Sequence, residues 1–208
     1  MPLSAADEEN AFRIQLEVLP EDARVHARFA DFLAGQGRDA EAIAHYKRAI
    51  ALDARGAAAH HRLAMLLARG RRYEEAIPHL EAALAANPAD VYVLTDLGNT
   101  LVNARRPARA LPVLREAAAL APSQHAAHIN LALALTELGR FAEAEAAFMT
   151  ALRLAPAHAP VHNNLATLYI MMGRHHEAIG ELDLALALDP GYAAARRNRA
   201  LAHLALGD

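Results

Sequence analysis

A period of 34 residues restricts this chain more than any other feature of its sequence. Alanine returns in phase at Ala42, Ala76, Ala110, Ala144 and Ala178, and again at Ala49, Ala83, Ala117, Ala151 and Ala185. A third series of small residues runs Ala30, Ala64, Gly98, Ala132, Ala166 and Ala200. Self-similarity at such a period marks a solenoid, in which each unit buries its apolar face only against its neighbours. The stretch His125–Pro156 shows the unit most clearly. It reads as two amphipathic helices joined at Gly139-Arg140, with small residues where the helices must approach closely.

The register predicts one domain, 1–208, built from five repeats: 23–56, 57–90, 91–124, 125–158 and 159–192. Each holds a first helix, a turn near Gly37, Gly70, Arg105, Gly139 or Gly173, and a second helix. Pro88, Pro122, Pro156 and Pro190 stop that second helix, because proline brings no N–H to the ladder. Ala54 stands in that place in the first repeat. Pro78 and Pro112 fall early in their second helices, where either the orphan N–H groups spare the cost or the helix kinks. Residues 1–7 read as a frayed lead-in and 8–20 as a lone half-repeat helix, with Phe12 where Phe148 sits. The tail 193–208 is a sixth first helix. Arg199 and His203 in apolar positions suit a solvated cap, whereas Gly207-Asp208 suits a chain cut at the next turn.

Composition narrows the function. The formal charge of −3 gives no general pull toward nucleic acid or anionic membrane. There is no cysteine, no signal-peptide pattern at MPLSAADEEN and no apolar run long enough for a membrane span, so a cytoplasmic protein is the expectation. No cysteine nucleophile, glycine-rich phosphate loop or G-x-S-x-G is present, which predicts a chain without catalysis or cofactor. Twelve histidines raise the question of a metal. Four of them, His26, His60, His128 and His162, share one register, but zinc needs three or four donors converging near 2.0–2.1 Å, and none completes a set. They read as packing histidines, and no metal is expected.

The period and the skeleton H-L-A-L…A-F-A-P resemble the tetratricopeptide repeat family over nearly the whole chain. The resemblance implies an all-α, right-handed α-solenoid of helix-turn-helix units that binds a protein or peptide. In that family, positions 2, 5, 6, 9, 12 and 13 of the first helix line the concave face. The sixth position here reads Arg28, Arg62, Asp96, Asn130, Asn164 and Asn198. Three consecutive asparagines resemble the asparagine ladder of the repeat region of O-linked GlcNAc transferases, which holds extended peptides. An amide both donates and accepts, so it can grip a backbone without reading its sequence. Asn99, Asn103 and Asn163 extend the amide surface, and Tyr92, Thr95 and Thr167 flank it.

The clamp of co-chaperone repeat domains is not matched, since Thr95 and Pro160 stand where lysines are needed. Arg24, Arg28, Arg62 and Arg69 predict a basic end to the groove, suited to a ligand with an acidic segment. A second basic cluster, Arg69, Arg71, Arg72, Arg105, Arg106 and Arg109, falls in the turns; it reads as solvated, with docking of an acidic partner domain as the alternative. Two alternatives stand beside peptide clamping. One is the recruiting region of a larger bacterial enzyme of glycosyltransferase or sulfotransferase type. The other is a homo-oligomeric scaffold using Leu201, Leu204 and Leu206.

Overall fold

The computed structural model describes residues 4–207, and every regular element among them is an α-helix. The described residues form α1 (Ala5–Val18), α2 (Ala23–Gly35), α3 (Asp39–Leu52), α4 (Ala57–Arg69), α5 (Tyr73–Ala86) and α6 (Val91–Asn103). Then follow α7 (Pro107–Leu120), α8 (His125–Glu137), α9 (Phe141–Leu154), α10 (Ala159–Met171), α11 (His175–Leu188) and α12 (Ala193–Leu206). Two compact units divide between Thr100 and Leu101, inside α6. None of the described helices is long and apolar enough to cross a membrane.

The turn between the helices of a repeat is set by backbone geometry. Gly37, Gly139 and Gly173 adopt positive φ, as do Arg71 and Arg105 at the same register. In every case the next N–H donates back to the carbonyl five residues earlier, as Arg38 does to Leu33 and Arg140 to Leu135. This is the left-handed helix stop, and it satisfies carbonyls that the helix end leaves open. The second turn therefore pivots on Arg71 and not on Gly70, which has φ −79°. A side chain in the left-handed region costs about 1–2 kcal/mol where glycine has no such penalty. An arginine follows each pivot residue and opens the second helix, and Arg38, Arg72, Arg140 and Arg174 ion-pair with Glu41, Glu75, Glu143 and Glu177 three residues on.

The periodic alanines are the contact surface. Ala30, Ala42, Ala64, Ala76, Ala110, Ala132, Ala144, Ala166 and Ala178 have no exposed surface. Enlarging any of them forces overpacking of about 1–3 kcal/mol. In unit 2 they interleave with Leu135, Phe148, Leu165, Leu168 and Leu182. Ala200 is exposed, because no following helix among the described residues covers it.

Three local expectations change. Helix α1 begins at Ala5, because Ser4 and Asp7 form a reciprocal cap; of the lead-in, only residues 1–3 lie outside the described region. Helices α5 and α7 run unbroken through the exposed Pro78 and Pro112. Arg199 also does more than solvate a cap: it ion-pairs with Asp183 of α11 at 2.8 Å.

Candidate peptide-binding groove

In unit 1 the first helices α2 and α4 border a cleft of about 680 Å³. Its apolar lining is Ala34, Met65 and Leu66, and its polar rim is Asp31, His61, Arg62 and Arg69. The cleft has a simple origin. Gly35 occupies the register at which later repeats carry Arg69, Asn103, Glu137 and Met171, and nothing stands within 4 Å of where its Cβ would be. The rim charges are closed on one another. Arg62 pairs with Asp31, whose other oxygen accepts the Tyr46 hydroxyl at 2.5 Å. Tyr46 is only 3% exposed. Burial and the Asp31 carboxylate push its phenol above the usual range, so it stays a donor. Arg69 pairs with Asp39 at 2.5 Å, and His61 with Asp96 at 2.7 Å.

Of the basic end expected from sequence, Arg62 and Arg69 are therefore neutralised by carboxylates one repeat away. Nor does the structure bring Arg28 and Arg62 to one place. The guanidinium of Arg28 lies 5.7 Å from the ring centre of Phe12, in a smaller cleft with Glu8 and Gln15 of α1. On α6, Tyr92 is 73% exposed and Asn99 half-buried, while Asn103 is exposed. Thr95 is buried and its hydroxyl donates to the Val91 carbonyl at 2.7 Å, so it belongs to the helix interior and not to a groove surface.

In unit 2 the first helices α8, α10 and α12 lie side by side in that order. Asn130, Asn164 and Asn198 occupy the same register on them, each half-buried. Asn198 donates its amide N–H groups to Asn163 Oδ1 at 2.9 Å and Thr167 Oγ1 at 3.3 Å. Thr167 in turn donates to the Asn163 carbonyl at 2.9 Å. With its donors engaged, Asn198 presents Oδ1 as an acceptor. Asn163 is 6% exposed, so it orients Asn198 from beneath and is not itself groove surface as expected. Asn130 and Asn164 make no side-chain hydrogen bond among the described residues. No group of three or more metal-ligating side chains occurs among the described residues.

Sequence reasoning missed Asp39, Tyr46 and the Gly35 gap. The gap was readable as the one glycine in its column, but the ion pairs depend on rotamers of side chains a repeat apart.

Models of the tetratricopeptide repeat match residues 28–91, 95–159 and 136–197, more than half of the chain. The chain belongs to the tetratricopeptide repeat family. Among solved structures it is similar to YrrB, a tetratricopeptide protein with an unusual peptide-binding site. The identity is 28%, the TM-score 0.74, and the match covers 90% of this chain and 96% of that one. MamA from Desulfovibrio magneticus RS-1 shares the fold, with a TM-score of 0.75 at 20% identity over 82% of this chain and 97% of its own. Among curated proteins, the protein O-mannosyl-transferase TMTC1 of Homo sapiens is 47% identical over 51 residues. That match takes in 24% of this chain and only 6% of the human protein.

Proposed function

We propose that this chain is a non-catalytic protein-binding module that holds an extended peptide segment against the first helices of unit 2. The observation that carries this reading is the amide row Asn130, Asn164 and Asn198, one per repeat, with Asn198 fixed as an acceptor by Asn163 and Thr167. Such a row offers donors and acceptors to a peptide backbone at regular intervals, and Leu133, Ile170, Met171 and Leu201 add apolar contact beside it. Each neutral hydrogen bond nets about 0.5–1.5 kcal/mol, so the row alone gives weak affinity and the apolar contacts raise it. The likeness to YrrB supports a peptide as the ligand class.

The test is a lysate pull-down with the wild-type chain and with Asn130→Ala/Asn164→Ala/Asn198→Ala, after checking that both melt alike. Proteins lost with the variant support the clamp and supply the ligand. Identical sets from both chains contradict it.

The match to TMTC1 favours a second reading, in which this module recruits partners for a transferase. A transferase domain encoded in the same reading frame supports that version, and its absence there counts against it.

A further inference from the structure

Histidine stands at the fourth residue of α2, α4, α8 and α10: His26, His60, His128 and His162. Each ring places Nε2 against the backbone carbonyl six residues earlier, at 3.0 Å from Pro20, 3.3 Å from Ala54, 3.0 Å from Pro122 and 3.1 Å from Pro156. A carbonyl oxygen only accepts, so Nε2 carries the hydrogen and Nδ1 of the neutral ring is bare. What faces Nδ1 differs between the units. In unit 1 it is a second histidine 19 residues on, His45 at 3.0 Å and His79 at 2.9 Å. In unit 2 the same register holds Ala147 beside His128 and Glu181 beside His162, the latter at 2.7 Å. The neutral pairs of unit 1 therefore require opposite tautomers: His45 and His79 donate through Nδ1 to the rings of His26 and His60.

We propose that His26–His45 and His60–His79 form an acid-released double latch, which loosens unit 1 below neutral pH. Each pair has room for one extra proton, giving N–H at both Nε2 atoms and one hydrogen shared between the two Nδ1 atoms. A second proton sets two N–H groups head to head at about the same separation, and the rings must part. In the unfolded chain both rings take protons near pH ~6.5. The folded state thus holds fewer protons than the unfolded one below that pH, and stability falls as pH falls. Each excluded proton makes opening about tenfold easier per pH unit.

Burial, then the adjoining imidazole, hold His45 and His79 below the usual histidine range. Around the first pair, Arg13 of α1 opposes a further cation and Glu41 of α3 favours one. Around the second, Lys47 of α3 opposes and Glu75 of α5 favours. Both carboxylates are already bound by Arg38 and Arg72. Rupture separates first helix from second in repeats one and two, and frees the carbonyls of Pro20 and Ala54.

Amide hydrogen exchange of the full chain at pH 7.5 and 5.5, corrected for intrinsic rates, tests the latch. The expected result is a severalfold greater loss of protection over α2–α5 than over α8–α11. His45→Ala/His79→Ala, which copies Ala147, should abolish that difference. Parallel loss in both units, or an unchanged difference in the variant, overturns the latch. Nitrogen NMR of the wild-type imidazoles at pH 7.5 gives a readout that does not depend on the variant folding. His26 and His60 should appear as Nε2–H tautomers and His45 and His79 as Nδ1–H tautomers. Four Nε2–H rings overturn the proposal.

Discussion

The first-helix faces of the two units use polar residues in opposite ways. In unit 1 the charges are answered from within, Arg62 by Asp31, Arg69 by Asp39 and His61 by Asp96. In unit 2 the column that holds Arg62 and Asp96 in unit 1 carries amides, of which Asn198 is oriented by its neighbours while Asn130 and Asn164 are unengaged among the described residues. A ligand meeting unit 1 has to displace an ion pair before its own charge is used, and the desolvation involved offsets much of the gain. On the proposed reading, a backbone meeting unit 2 finds the Asn130 and Asn164 amides and the Asn198 acceptor unclaimed among the described residues. Solenoid repeats of one fold thus carry closed ion pairs or open amides according to what fills one column.

The largest effect expected from breaking this contrast lies in the core of unit 2. Phe148 of unit 2 is 1% exposed and stands at the register of Tyr46 in unit 1. Phe148→Ala should cost about 3–5 kcal/mol in denaturant unfolding. Tyr46→Phe keeps the ring but removes the hydroxyl that anchors Asp31. It should cost about 0.5–1.5 kcal/mol and loosen the Asp31–Arg62 pair, which a double-mutant cycle with Arg62→Ala would report as coupling. A loss as large as that at Phe148 would mean that the hydroxyl carries packing as well. Smallest and opposite in sign, Arg71→Gly should raise stability by up to about 1 kcal/mol, read as a higher melting temperature, because glycine removes the left-handed strain at φ 59°.

Much of the fold was legible because the period lies in the sequence itself. The alanine columns fixed which residues meet, and Gly139 and Gly173 marked their turns. Arg71 concealed its turn, because arginine rarely takes positive φ and the adjacent Gly70 drew attention instead. At the groove, the asparagine column was readable as a column, but Asn163 and Thr95 were not separable from surface residues, since their burial depends on helix rotation within the stack. The histidine latch was half visible. The register of His26 and His60 stood out, whereas the partners at a constant offset of 19 become meaningful only when second helices are laid against first. Ion pairs such as Arg62–Asp31, 31 residues apart, follow from the meeting of neighbouring repeats and leave no local pattern.

The contrast between the faces is decided by affinity for a segment captured in the pull-down, measured for three chains. These are the wild type, Asn130→Ala/Asn164→Ala/Asn198→Ala, and Asp31→Ala/Arg62→Ala. The expected result is a loss of at least about tenfold for the amide variant, from three hydrogen bonds of about 0.5–1.5 kcal/mol each, with little change when the unit 1 ion pair is removed. Equal affinity of the amide variant and the wild type, with binding lost only from the ion-pair variant, would place recognition in unit 1 and contradict the clamp.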